Sequence, residues 1–227
     1  MDEMCVDGTC SGSSNLCGDG TVQGGCGEQC DDGNLLPDDG CSPTCTLEPC
    51  GALPATGCRA PFTGGKALLK AKATVDSAKH QLQWKWAAGT ATTLEDFGSP
   101  TTTASYSLCL YDTGQDPGQQ LISTTTIPAG GLCGGKPCWK ASGTSGFGFK
   151  SKTLTADGAA QLKLKAGVDG KAAIQFMGKG ANFQMPALGT LAGPIVVQLT
   201  NSTVCWQATY SAPFLKNDGI SFLGKAD

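Results

Sequence analysis

Residues 66–87 read KALLKAKATVDSAKHQLQWKWA, and their alternation decides the fold class. In the first half Leu69, Ala71, Ala73 and Val75 fall on one face of an extended chain, with Lys70, Lys72 and Thr74 on the other. In the second half Leu82, Trp84 and Trp86 oppose Gln81, Gln83 and Lys85. A two-residue period of this kind marks strands with one face buried and the other wet. The Ala, Leu and Lys content of 66–75 also suits a helix, but the two-residue period is cleaner.

The pattern recurs at 105–112, 120–127, 138–142, 147–150, 161–165, 173–177, 194–200 and 203–210, which makes about ten short strands. Asp157-Gly158 and Asp169-Gly170 are turn formers, so 150–178 is expected to be a meander. The chain is therefore predicted to be mainly β, with residues 59–227 forming an antiparallel sandwich, jelly-roll-like or immunoglobulin-like. Trp84, Trp86, Trp139 and Trp206 alternate with polar residues and are expected in its core. The rival reading makes them the floor of a sugar-binding groove.

Upstream the composition changes. Nine of the thirteen cysteines lie in residues 1–58, and 17–50 run CGDGTVQGGCGEQCDDGNLLPDDGCSPTCTLEPC. Few large apolar residues are present, so cross-links must hold this part together. With frequent Asp-Gly and Gly-Asn turns, residues 1–58 are predicted to be a small, irregular, disulfide-rich module. Residues 46–65 read as a connector that a Cys50–Cys58 bond would stiffen. Of the four later cysteines, alternation puts Cys109 and Cys205 on the same side, favouring Cys109–Cys205 and Cys133–Cys138.

Charge divides at the same boundary. Residues 1–58 hold ten acids and no Lys or Arg, hence −10; the rest holds nine acids and sixteen bases, hence +7. Opposite charges of this kind permit head-to-tail contact between copies. Thirteen cysteines point to an oxidising, extracellular or cell-surface location, and the odd number leaves one thiol free or bonded to a partner. No apolar run is long enough for a membrane span.

At 17–20 (CGDG), 27–34 (GEQCDDGN), 39–45 (DGCSPTC) and 47–50 (LEPC) the chain resembles the Myxococcus cysteine-rich repeat, related to the Lin-12/Notch-type repeats of pappalysin. Cys26, ahead of Gly27-Glu28, departs from the simplest form of that repeat. The resemblance implies a secreted or surface location and a cystine-stapled fold, without implying one activity. Notch-type repeats bind calcium, and crowded oxygen ligands suit that ion. Glu28, Asp31, Asp32, Asn34 and Asp39 are the candidate Ca²⁺ ligands, with Asp19 next; the rival reading makes them turn residues and solvated charges. Downstream, LQWKW (82–86), GGKPCWKA (134–141), GKGANFQMP (178–186) and VCWQATYSAP (204–213) resemble an uncharacterised β-rich domain that follows such repeats in secreted proteins of myxobacteria and their relatives.

No constellation identifies a reaction. The one histidine, His80, begins a strand beside Lys79. The G-x4-G-K match at 130–136 is followed by Pro137 where a phosphate loop needs Ser or Thr. Bases form no run, so nucleic acid is not an expected partner. The expectation is a non-enzymatic structural or interaction protein whose partners are copies of itself or other extracellular proteins, as in a filament or other surface assembly. The alternatives are a carbohydrate-binding or adhesive module that takes glycans, and then a secreted hydrolase.

Overall fold

All ten predicted strands form, and they close into two antiparallel sheets. The structure is a computed structural model that describes residues 17–22, 28, 31, 33–35, 41–46, 48, 50–114, 120–154, 156–201 and 203–227. The larger sheet contains β1 (Ala67–Lys72), β2 (Gln81–Gly89), β7 (Trp139–Ala141), β8 (Gly146–Lys150), β9 (Ala159–Lys165), β10 (Ala172–Lys179), β13 (Lys216–Asn217) and β14 (Ser221–Lys225). Their order is β13-β14-β1-β2-β10-β9-β8-β7, so the meander expected at 150–178 is present. The smaller sheet contains β3 (Tyr106–Asp112), β4 (Leu121–Ile127), β11 (Ile195–Thr200) and β12 (Cys205–Tyr210), in the order β12-β11-β3-β4. A separate short hairpin pairs β5 (Leu132–Cys133) with β6 (Lys136–Pro137).

Alternation fills the space between the sheets. Leu69, Leu82, Ile174 and Phe176 from the larger sheet share one core with Leu108, Leu110, Val197 and Leu199 from the smaller. All four tryptophans are buried in it, and each indole N–H finds an acceptor. Trp84 Nε1 donates to the Tyr210 hydroxyl at 3.0 Å, Trp86 to the Gln207 carbonyl at 2.9 Å, Trp139 to the Pro128 carbonyl at 2.8 Å, and Trp206 to Thr92 Oγ1 at 3.2 Å. Buried and satisfied indoles are structural, so the groove reading of the tryptophans is corrected.

One central strand was not foreseen. β14 lies between β13 and β1, yet its inward positions are Phe222 and Gly224 while Leu223 faces outward. Gly224 gives the rings room there, because an added Cβ would come within 3.2 Å of the Phe222 and Tyr210 rings, a tight contact. A Gly inside and a Leu outside erase the sequence signal.

The connector carries the main correction. Cys50 is bonded to Cys109 on β3, and Cys58 to Cys205 on β12; neither the Cys50–Cys58 nor the Cys109–Cys205 bond forms. Cys109 and Cys205 do leave the core on the same side, but β11 lies between their strands. Two strand spacings are about 10 Å, too far for one disulfide. The connector fills that gap as a strap over the outer face of the smaller sheet. Its Ala55 is held at both backbone atoms by Gln198 on β11: the Ala55 N–H donates to Oε1 at 3.0 Å, and Nε2 donates to the Ala55 carbonyl at 2.7 Å. Under the strap, Cys50, Cys109, Tyr111 and Val196 form a second buried cluster, which is why every residue of β3 is buried. Burial there pushes the Tyr111 hydroxyl up to about 12. The expected Cys133–Cys138 bond closes the β5–β6 hairpin.

Past Cys58 the strap runs beside β12, where the Arg59 N–H donates to the Cys205 carbonyl at 2.9 Å. Arg59 Nη2 donates to Asp96 Oδ1 at 2.9 Å. Its Nη1 lies 2.6 Å from Oδ2 as a charge contact without hydrogen-bond alignment. The Arg59 hydrogen bond, against some burial, holds the Asp96 carboxyl down at about 2. A depressed carboxyl stabilises the fold above its unfolded value and loses that contribution as pH falls through its folded one. We therefore expect Asp96→Asn to cost on the order of 1–2 kcal/mol at neutral pH and to have little effect near pH 2, read as paired denaturant curves.

The two outer faces differ in chemistry. Ten of the sixteen basic residues project from the outer face of the larger sheet: Lys70, Lys72, Lys85, Lys140, Lys150, Lys163, Lys165, Lys179, Lys216 and Lys225. No Asp or Glu occurs in any strand of that sheet. One cross-strand row runs Lys225, Leu68, Lys85, Gln175, Lys163, Gly148, Lys140. Its lysines recur on every second strand, about 10 Å apart.

Candidate functional site

The loops that carry the cysteine-rich motif are tied together by one carboxylate. Asp31 Oδ2 accepts the backbone N–H groups of Gly18 at 2.9 Å and Asp19 at 3.1 Å, and Oδ1 accepts those of Gly20 and Gly33, both at 2.8 Å. Gly18 and Gly20 have φ of +91° and +84°. Only glycine takes such angles without strain, and this turns three successive amides toward one anion. A Cβ on Gly18 would also meet the Asn34 carbonyl oxygen at 2.9 Å. Burial pushes the Asp31 carboxyl up, but the four amide bonds outweigh it and hold it below the usual range. The Cys17–Cys45 disulfide closes the same unit from behind, with Cys17, Cys41 and Cys45 buried together.

Of the candidate calcium ligands, Glu28 and Asp31 are brought together: their carboxylate oxygens and the Cys45 sulfur lie within 4.8 Å of one another. Asp19 is exposed, and its Oδ1 accepts the Thr21 N–H at 2.8 Å. Asn34 is half-buried. Asp32 and Asp39 lie outside the described residues. A carboxylate offers about four lone-pair positions, and Asp31 uses all of its own on backbone amides. Cys45 is committed to its disulfide. Calcium takes six to eight oxygens, more than the side chains of Glu28, Asp19 and Asn34 supply. Cys17, Cys41 and Cys45 are all disulfide-bonded and offer no thiolate to zinc.

Elsewhere the acids with defined partners hold backbone. Asp112 is fully buried and accepts the N–H groups of Gly114, Ala192 and Gly193 at 3.2, 2.9 and 2.8 Å. His80 is half-buried, with Nε2 3.0 Å from the Thr74 carbonyl. The phosphate-loop match at 130–136 is the β5–β6 hairpin, turned at Gly134 and Gly135 with φ of +64° and +78°. Asn201, which begins an N-x-Ser/Thr sequence, spends its amide on the Asp96 carbonyl and its oxygen on the Thr203 and Val204 N–H groups.

The feature sequence reading passed over is the lysine face. Its bases form no run, because consecutive lysines on one face of a strand are two residues apart, as at 70 and 72 or 163 and 165. Counting bases by strand face would have found it.

Among the described residues, no helix is long and apolar enough to cross a membrane. No curated protein and no solved structure matches the chain. A family model described as a domain of unknown function (DUF4215) matches residues 3–46, and with the disulfides around Cys17, Cys41 and Cys45 this makes the N-terminal part consistent with a cysteine-rich repeat.

Proposed function

We propose that the protein is a secreted or cell-surface structural and interaction module that associates with further copies of itself in an extracellular assembly. One observation carries this reading: all nine described cysteines are in disulfides, two of which fix the connector to the sandwich. Such a chain keeps its shape outside the cell, in an oxidising environment. It also joins an acidic segment to a domain with a basic face, which suits steered contact between proteins. The reading is non-enzymatic, in keeping with Asp31, Asp96 and Asp112 each holding backbone or Arg59. Calcium belongs to the proposal as a ligand of the acidic repeat.

Sedimentation velocity of purified protein at rising concentration, without reductant and with calcium, tests it. The expected result is species heavier than the monomer, reduced by chelation if calcium orders the repeat. A monomer at every concentration would overturn it.

A further inference from the structure

The outer face of the larger sheet is strongly basic. Its ten lysines are all exposed. Among the described residues Lys216 alone of them has a carboxylate within ion-pair distance, Asp218 at 3.3 Å. The remaining nine repel one another with no compensating acid in the sheet, a cost that an opposing anionic surface removes. The face is not featureless. Two depressions of about 430 and 450 Å³ meet at Gly148, one flanked by Lys163 and Lys165, the other by Lys136, Lys140, Lys150 and Lys152. Gly148 leaves the floor open, since a Cβ there would meet nothing within 4 Å.

The chain itself contains a segment of complementary charge. Residues 1–58 carry ten acids and no Lys or Arg. They reach the sandwich at Cys50, whose bond to Cys109 lies on the outer face of the smaller sheet. The lysine face is the outer face of the other sheet, across the full thickness of the core. The strap, pinned again at Cys58, holds the junction on that far side. The acidic segment thus joins the sandwich on the side away from the lysines.

We infer that the lysine face of one copy docks the acidic N-terminal module of a second copy. The contact is heterologous, so it propagates into an open chain of copies unless the rotation closes a ring. This rests on the self-association proposed above and names its two surfaces.

The test compares wild type, Lys85→Glu with Lys163→Glu, and separately Gly148→Glu, by sedimentation velocity over a concentration series at low and high salt. The lysines are exposed and Gly148 has room, so both variants keep the core; thermal melts check this. Wild type is expected to grow with concentration and to weaken at high salt. Each variant alone is expected to associate more than about tenfold more weakly. Mixed with wild type, a variant still donates its acidic module and therefore caps growing chains, giving shorter assemblies than wild type alone. Variants that assemble as wild type does would overturn the inference while leaving self-association standing. A wild type that stays monomeric overturns both. A monomeric wild type that binds alginate through these lysines would assign the face to an acidic polysaccharide instead.

Discussion

Removing the Cys58–Cys205 disulfide, by Cys58→Ala with Cys205→Ala, is expected to lower the unfolding free energy by about 5 kcal/mol, against about 2 kcal/mol for Cys133→Ala with Cys138→Ala. The difference follows from loop length. The first bond spans 147 residues and the second 5, so the first removes far more freedom from the unfolded chain. It also anchors the strap where Arg59 joins β12 and Asp96. Since a domain of this kind has roughly 5–15 kcal/mol in all, the first variant should be near its unfolding threshold. Guanidinium titration of both variants without reductant gives the comparison; equal losses would mean that the connector is not part of the β fold.

Trp84→Ala is the second large effect, expected at about 3–5 kcal/mol. Trp84 is 1% exposed and sits on β2, between β1 and β10. Its ring fills the space between the sheets, and its N–H reaches the buried Tyr210 hydroxyl on β12. Trp84→Phe keeps most of the volume but strands that hydroxyl, for about 1–3 kcal/mol. A Trp84→Phe, Tyr210→Phe double variant removes both polar ends and should recover part of the loss. An exposed, sugar-binding Trp84 would instead tolerate alanine with little change in stability.

The β fold was legible in sequence wherever one face of a strand is dry and the other wet, as at 67–72 and 81–86. It was illegible at β14, where Gly224 occupies an inward position to make room for the Phe222 and Tyr210 rings. Disulfide partners were half legible. Alternation put Cys109 and Cys205 on the correct side of their strands, but strand order is a long-range property, and β11 separates them. In the repeat, the glycines and carboxylates stood out as a group, while their division of labour did not. Asp31 and Asp32 look alike in sequence; only geometry shows Asp31 gathering the amides of Gly18, Asp19, Gly20 and Gly33. The lysine face was hidden for the reverse reason, its residues being scattered over eight strands that only the fold lines up.

The side of the sandwich at which the acidic segment joins, opposite the lysine face, depends on where the connector is pinned. Peptide mapping of the non-reduced protein by mass spectrometry measures this directly. Fragments joining Cys50 to Cys109 and Cys58 to Cys205 are the expected result; a Cys109–Cys205 or Cys50–Cys58 linkage would contradict it.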